Sequence, residues 1–264
     1  MVSALPIRVL RAGALSIDAA WNAQAVCSSY WRCYLNGDTG ASIVLESGQR
    51  YAITAHTVHL IPAWVGFSCH CSQQVEHWYA HFDVVGWPSA LVGQAFPRPI
   101  ALTDSDVVAL AVSTASQHER ISAVGAMTAA SAVCAASLAR AWERCPDTKR
   151  RPLATLEQAG PLQGIIGFID HHLDQPLDNR SLAKQAACSD DHLIRLFRQH
   201  LGQTPATYVQ ERRIAAAAEC LLNSSDSIDA IASRYGFANR YHFSRVFAKR
   251  LGCPPARYRQ RDRV

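Results

Sequence analysis

An internal repeat of fifty residues constrains this chain more than any other feature. The run Leu201-Gly202-Gln203-Thr204-Pro205-Ala206-Thr207-Tyr208 recurs as Leu251-Gly252-Cys253-Pro254-Pro255-Ala256-Arg257-Tyr258. Ahead of each copy the apolar residues fall at Leu193, Leu196, Phe197, Leu201 and at Phe243, Val246, Phe247, Leu251. That spacing is one face of a helix. Arg195 and Arg245 correspond, and both lie off the apolar face. Upstream, Leu182-Ala183 and Ile231-Ala232 open the two units, with short turns at Ala187-Cys188-Ser189 and Gly236-Phe237-Ala238-Asn239. Ser189 and Asn239 are good N-caps for the helices that follow. A short helix, a tight turn and a second helix with an exposed basic face make a helix-turn-helix. Here the pattern occurs twice, with a helix Pro205–Leu222 between the copies. A purely structural helical bundle is the alternative, and it has no need of two copies in register.

Charge follows the same division. Before residue 161 there are eleven Lys/Arg against eleven Asp/Glu, and from 161 onward fifteen against ten. The whole net charge of +5 therefore belongs to the C-terminal part, which predicts an anionic partner for it. Two prolines and a charge cluster at Cys145-Pro146-Asp147-Thr148-Lys149-Arg150-Arg151-Pro152, followed by Gly160-Pro161, predict a break in regular structure. The expected domains are 1–144, a linker at 145–161, and 162–264.

Residues 164–259 resemble the DNA-binding domain of AraC/XylS-type transcription regulators. The resemblance is carried by Leu182-Ala183, Ser189, Leu193, Arg195, Phe197, Gly202, Pro205, Tyr208, Arg213, Ala217, Leu221-Leu222, Ile228, Ile231-Ala232, Gly236-Phe237, Phe243, Arg245, Phe247, Gly252, Pro255, Tyr258 and Arg259. Asn179 departs from the aliphatic residue usual before the first unit, and is expected to loosen that helix start. The resemblance implies that the second helix of each unit enters the major groove. The two would lie about one DNA turn, roughly 34 Å, apart on one face of the duplex. Because one chain carries both heads, a non-palindromic site is expected.

In the first reading helix Asp191, His192, Ile194 and Arg195 project away from the apolar stripe. Arg195 suits a bidentate contact with guanine O6/N7. Asp191 either accepts from cytosine N4 or, like Asp190, simply suits a helix N-terminus. Ile194 packs on a thymine methyl or on a neighbouring helix. In the second reading helix the candidates are Arg240, Tyr241, His242, Ser244 and Arg245, with Arg245 mirroring Arg195. Lys249, Arg250, Arg257 and Arg259 suit phosphate or solvent, fixing position without reading sequence. Thr204 and Ser227 are helix caps.

The N-terminal part has a different period. Runs rich in aromatic and β-branched residues (Tyr30–Leu35, Ser42–Leu45, Thr57–Ile61 and His77–Val85) alternate with turn residues, which predicts an antiparallel sandwich or barrel. After residue 100 the pattern becomes helical. Residues 7–100 resemble the cupin-like sensor domain of the same family through Trp31–Leu35 with Asn36, Gly48-x-x-Tyr51, Leu60-Ile61-Pro62 and His81-Phe82-Asp83. That resemblance implies an effector pocket, of sugar or aromatic-acid class, and a dimer made through the following helices. Alternation puts His77, Tyr79 and His81 on one face of their strand, and Trp78, Ala80 and Phe82 on the other. His77, Tyr79, His81 and Asn36 are the candidate ligand contacts. Cross-strand packing is the competing role.

A metal-dependent cupin enzyme is the rival from another class. Its His-x-His signature is missing: the residues in His56-x-x-His59 point to opposite faces, and alternation separates His70 from Cys69 and Cys71. Phosphate loop, Gly-rich dinucleotide turn and nucleophile elbow are missing too. Neither catalysis, cofactor nor metal is expected. The nine cysteines contain no CxxC pair and suit reduced thiols in a cytoplasm. Arg120 to Arg140 encloses nineteen uncharged residues, close to a membrane-spanning length. Eight are alanine, which favours soluble helix packing over insertion. The expectation is an α+β two-domain regulator in the bacterial cytoplasm, associated with the nucleoid. It would be a homodimer that binds double-stranded promoter or operator DNA, meets RNA polymerase and answers to a small effector, more plausibly activating than repressing a catabolic or transport operon.

Overall fold

The computed structural model describes residues 7–156 and 160–261. They form two compact units. One gathers the described residues up to Val85 together with Ala95–Asp147; the other holds Gly86–Gln94 and the chain from Thr148 onward.

The first unit is built on two antiparallel sheets. Its strands are β1 (Ile7–Ile17), β2 (Ala23–Val26), β3 (Trp31–Asn36), β4 (Ala41–Leu45), β5 (Arg50–Ile53), β6 (Val58–Ile61), β7 (Phe67–Cys71), β8 (Val75–Val84) and β9 (Ile100–Leu102). One sheet has the order β1-β8-β3-β6-β9 and the other β2-β7-β4-β5. Their inner faces share a core that includes Tyr34, Ile43, Ile53, Ile61, Phe67 and Val75. The aromatic runs found by sequence lie in β3, β4, β6 and β8. Strand β1 was invisible to that pattern because Ala12-Gly13-Ala14 at its centre has weak strand propensity. The structure supplies the reason for the glycine. Gly13 lies opposite Tyr79, and a Cβ there would stand 2.8 Å from the Tyr79 hydroxyl. A bare backbone is what lets the tyrosine ring lie over β1.

The outer face of the larger sheet is covered by helices. After the short α1 (Ser89–Ala95) come α2 (Ser105–Gln117) and α3 (Ala123–Arg144). Helix α3 is long and apolar enough to cross a membrane by length and composition. Its row of small residues is used otherwise: Ala126, Ala130, Val133, Cys134, Leu138 and Ala141 are buried, and the helix packs along β1 and α2. Ion pairs Arg140–Asp106 (2.6 Å) and Arg144–Asp104 (2.7 Å) tie α3 to α2 and to the residue before it.

Regular structure breaks at Cys145-Pro146, where α3 ends, and the two units divide between Asp147 and Thr148, but the break is shorter than expected. Helix α4 runs through Asp147–Leu156 with Pro152 inside it. Pro146 precedes the helix and leaves its start intact, and Pro152 removes one backbone donor without ending it. Helix α5 (Gly160–His171) follows.

The remaining helices are α6 (Asn179–Gln185), α7 (Asp190–Leu201), α8 (Pro205–Asn223), α9 (Ile228–Arg234), α10 (Arg240–Leu251) and α11 (Pro255–Arg261). Both repeats fold alike. Ser189 accepts from the His192 amide and Asn239 from the His242 amide, so each second helix is capped as its sequence requires. Both second helices end on a left-handed glycine, Gly202 or Gly252. Phe197 packs edge-on against Tyr208 at 5.9 Å, and Phe247 against Tyr258 at 5.2 Å. The repeat thus extends into the core pairs. Asn179 does not loosen α6: Asp178 caps it by accepting from the Ser181 amide at 2.7 Å.

The two turns differ by one residue. Helices α6 and α9 end at Gln185 and Arg234, forty-nine apart, while α7 and α10 begin fifty apart. Each first helix closes with a left-handed residue, Ala187 (φ 50°) or Gly236 (φ 70°). The following amide, of Cys188 or Phe237, bonds back five residues to Ala183 or Ala232. Ala238 is the extra residue of the second turn. Left-handed alanine costs about 1–2 kcal/mol, partly offset by the smaller unfolded-state freedom of alanine. Ala187→Gly is therefore expected to stabilise the protein by about 0.5 kcal/mol, read as a rise in unfolding midpoint. Gly236→Ala adds the same backbone strain and drives a Cβ to 2.8 Å from the Arg213 guanidinium. It should cost clearly more than the first change gains, about 1–2 kcal/mol. A cost no larger than that gain would show that Arg213 steps aside freely.

Candidate nucleic-acid interface and sheet interior

The buried faces of α7 and α10 decide what the exposed faces offer. Leu193, Phe197 and Leu201 are buried on α7, as are Phe243, Phe247 and Leu251 on α10. This leaves Asp191, Arg195 and Gln199 exposed on α7, and Tyr241, Arg245 and Lys249 on α10. Residues four apart line up along a helix, so each trio is one stripe. His192, Ile194, His242 and Ser244 flank the stripes, half-buried, and Arg240 is exposed at the start of α10. Tyr241 is a large aromatic side chain 84% exposed.

Two of these side chains are already engaged. Arg195 Nη2 donates to His192 Nδ1 at 2.6 Å. Arg240 makes a long ion pair of 3.4 Å with Asp229. His192 and His242 occupy equivalent places three residues before their arginines, a correspondence that the fifty-residue offset already carried in the sequence.

Helix α8 connects the two helix-turn-helix units within one compact unit. Arg212 Nε pairs with Asp170 Oδ1 of α5 at 2.7 Å, with both side chains largely buried. Arg213 donates to the carbonyls of Leu173 (3.0 Å) and Gln175 (2.6 Å), just before α6, while its guanidinium lies against the Gly236 turn. Glu211, 1% exposed, accepts from the Ser89 amide (2.8 Å) and hydroxyl (2.6 Å) at the start of α1. Sequence reading did not single out Glu211, since nothing in the local pattern of α8 marks which of its faces other segments cover.

In the other unit, the ligand candidates meet on the inner face of the larger sheet. His77, Tyr79 and His81 stand in register with Asn36, Tyr34 and Arg32 of β3, and with Leu15, Gly13 and Arg11 of β1. His77 Nδ1 donates to Asn36 Oδ1 at 2.7 Å, while Asn36 Nδ2 is buried without a hydrogen-bond partner. The His77 ring packs edge-on to Tyr34 at 4.7 Å, and His81 stacks on Tyr30 at 4.8 Å. Arg32 lies 4.8 Å over Tyr30 and donates to Ser28 Oγ at 2.7 Å; Arg11 lies 5.8 Å over Tyr79. Both arginines escaped the sequence reading. Period-two alternation from His81 would have found Arg32 once β3 and β8 were known to pair, whereas Arg11 needed the unrecognised β1. His59, by contrast, accepts from the Thr54 amide at 3.1 Å, and His56 sits in a left-handed turn (φ 53°), so the two do not converge. Among the described residues no group of three or more His, Cys, Asp or Glu is placed to hold a metal.

This geometry defines a class: a two-sheet domain followed by a paired helix-turn-helix module. Comparison with known proteins makes the class specific. A family model described as a helix-turn-helix domain matches residues 182–261. Regulatory protein SoxS of Escherichia coli (strain K12) is 37% identical over 100 residues, 38% of this chain and 94% of that protein. Transcriptional regulator Rob of Salmonella typhimurium (strain LT2) is 33% identical over 105 residues, covering 40% of this chain and 36% of Rob. ToxT from Vibrio cholerae O395 shares the fold of nearly the whole chain, with a TM-score of 0.61 at 10% identity over 96% of this chain and 98% of ToxT. A second ToxT structure, with unsaturated fatty acid bound, gives 0.55 at 13% identity over 94% of each chain. The chain belongs to the AraC-type family of regulators, and it is a DNA-binding regulator of transcription.

Burial favours the neutral form of His59, His77 and His81. It pushes His77 down to about 3, His59 to about 4, and His81 well below its ordinary range, with Arg32 and Arg11 adding to the effect on His81. In the unfolded chain these rings take up protons near pH 6.5, and in the folded chain they do not until far lower pH. The stability they allow is complete above about pH 6.5 and is lost as pH falls towards 4, at roughly 1 kcal/mol per pH unit for each ring. Tryptophan-fluorescence unfolding should show this decline, and His77→Gln should flatten part of it. A midpoint that stays level between pH 7 and 4 would contradict the buried neutral assignment.

Proposed function

We propose that the chain reads a non-palindromic operator with α7 and α10 in successive major-groove segments. The observation that carries this reading is the equivalence of the two units: same caps, same buried stripe, same outward arginine at a fifty-residue offset. Arg195 and Arg245 are assigned to guanine edges. Asp191, His192, Ile194, Arg240, Tyr241, His242 and Ser244 border the same groove surfaces, and Lys249 meets phosphate. The functional division is 1–144 for sensing and dimerisation, 145–161 as connection, and 162–264 for DNA.

The sheet interior is the effector site in this reading, with His77, Tyr79, His81 and Asn36 as contacts. Support comes from the unpartnered Asn36 Nδ2 among aromatic rings, and from the ToxT structure that holds an unsaturated fatty acid. Exposed Leu110 and Val112 on α2, and Ile121 and Val124 beside and on α3, support a homodimer through that helical pair. The protein is a non-enzymatic cytoplasmic regulator that works with RNA polymerase, and an effector acts only by differential affinity for two states.

Footprinting of the purified protein on genomic fragments tests the assignment. Two adjacent protected segments per chain are expected. Arg195→Ala and Arg245→Ala should each relax specificity at one position, costing about 1–3 kcal/mol of discrimination. A uniform loss over all sequences would mark them as phosphate contacts.

A further inference from the structure

We propose that the two reading heads are unequal: α10 grips the phosphate backbone and supplies most of the salt-dependent affinity, whereas α7 supplies discrimination between sequences. The inference rests on the DNA-reading assignment above and adds what each head contributes. The two helices have the same length, caps and buried stripe, so their outward residues compare position by position. Asp190 and Asp191 of α7 stand where α10 has Arg240 and Tyr241; Gln199 and His200 stand where α10 has Lys249 and Arg250. With Arg195 and Arg198 counted, α7 carries no net charge, while α10 carries +4. The exposed stripe makes the same point: Asp191, Arg195 and Gln199 cancel, and Tyr241, Arg245 and Lys249 do not.

Duplex DNA carries one negative charge for about every 1.7 Å of axis, and affinity for it grows with each phosphate neutralised. The amides at a helix N-terminus ordinarily attract such a charge. On α7 that position is taken by two carboxylates, which repel phosphate and leave base edges as the favourable neighbours. Arg195 is held there by His192 at 2.6 Å, so its guanidinium is preset for a directional contact. On α10 the matching His242 lies edge-on to Phe237, with ring centroids 5.9 Å apart. Arg257 is a further exposed cation on the adjoining α11.

The test uses the full-length protein, with affinity for the footprinted operator and for random duplex measured over a salt series. Glutamine replacements at these exposed positions keep side-chain length while removing charge, and thermal melting checks that the fold is intact. Arg240→Gln/Lys249→Gln should lower the slope of log affinity against log salt by nearly 2, about 0.9 for each lost phosphate contact. It should weaken operator and random DNA together. Arg195→Gln should leave that slope within about 0.5 and cut the operator-to-random ratio about ten-fold or more. The swap Gln199→Lys should raise both the slope and the random-DNA affinity. Equal slope losses from Arg195→Gln/Arg198→Gln and from the α10 pair would overturn the division while leaving DNA reading intact. Absence of any discrete footprint would overturn the DNA reading, and the division with it.

Discussion

The grip of α8 on its neighbours is the constraint from which the DNA-reading surface follows. A helix-turn-helix unit needs only a capped helix and a tight turn, but two of them read one duplex only if their separation is held. Successive residues of α8 do this. Arg212 fastens the helix to α5 through Asp170. Arg213 reaches the backbone before α6 and covers the turn between α9 and α10. Burial is part of the effect. Desolvation lowers the pKa of Arg213, yet the guanidinium stays charged, and its planar fork fits two carbonyls at once. Phe197 on Tyr208 joins α7 to α8, and Phe247 on Tyr258 repeats the same aromatic joint between α10 and α11.

The sheet unit solves a different problem. A layer of Arg32, Asn36, His77, Tyr79 and His81 inside a two-sheet fold exposes polar groups to an apolar core, which is costly unless each finds a partner or stays neutral. Histidine meets that demand because burial lowers its proton affinity, and aromatic faces carry the guanidinium groups. Such a layer orders the interior while keeping polar atoms within it.

Much of the helical unit could be read from the sequence, because its rules are local. Ser189, Thr204, Ser227 and Asn239 act as caps, Gly202 and Gly252 end helices, and the apolar stripes point inward, all as their positions in sequence require. The sheets were only half legible. Aromatic strands announce themselves, but β1 depends on Gly13 making room for Tyr79, a residue sixty-six positions away. The break expected over residues 145–161 is shorter in the structure for a related reason. Proline and charge weaken a helix without forbidding it, and α4 persists through Pro152.

The sequence by itself determined that there are two helix-turn-helix units and where the second helix of each starts and stops. Periodicity, capping and charge act over a few residues, so a repeat records them directly. Only the tertiary structure decided which side chains share an environment: Arg11 with His81 across paired strands, Glu211 against Ser89, Arg213 beneath the second turn. Those partners lie far apart along the chain, and their meeting is set by strand register and helix packing, which no local pattern encodes.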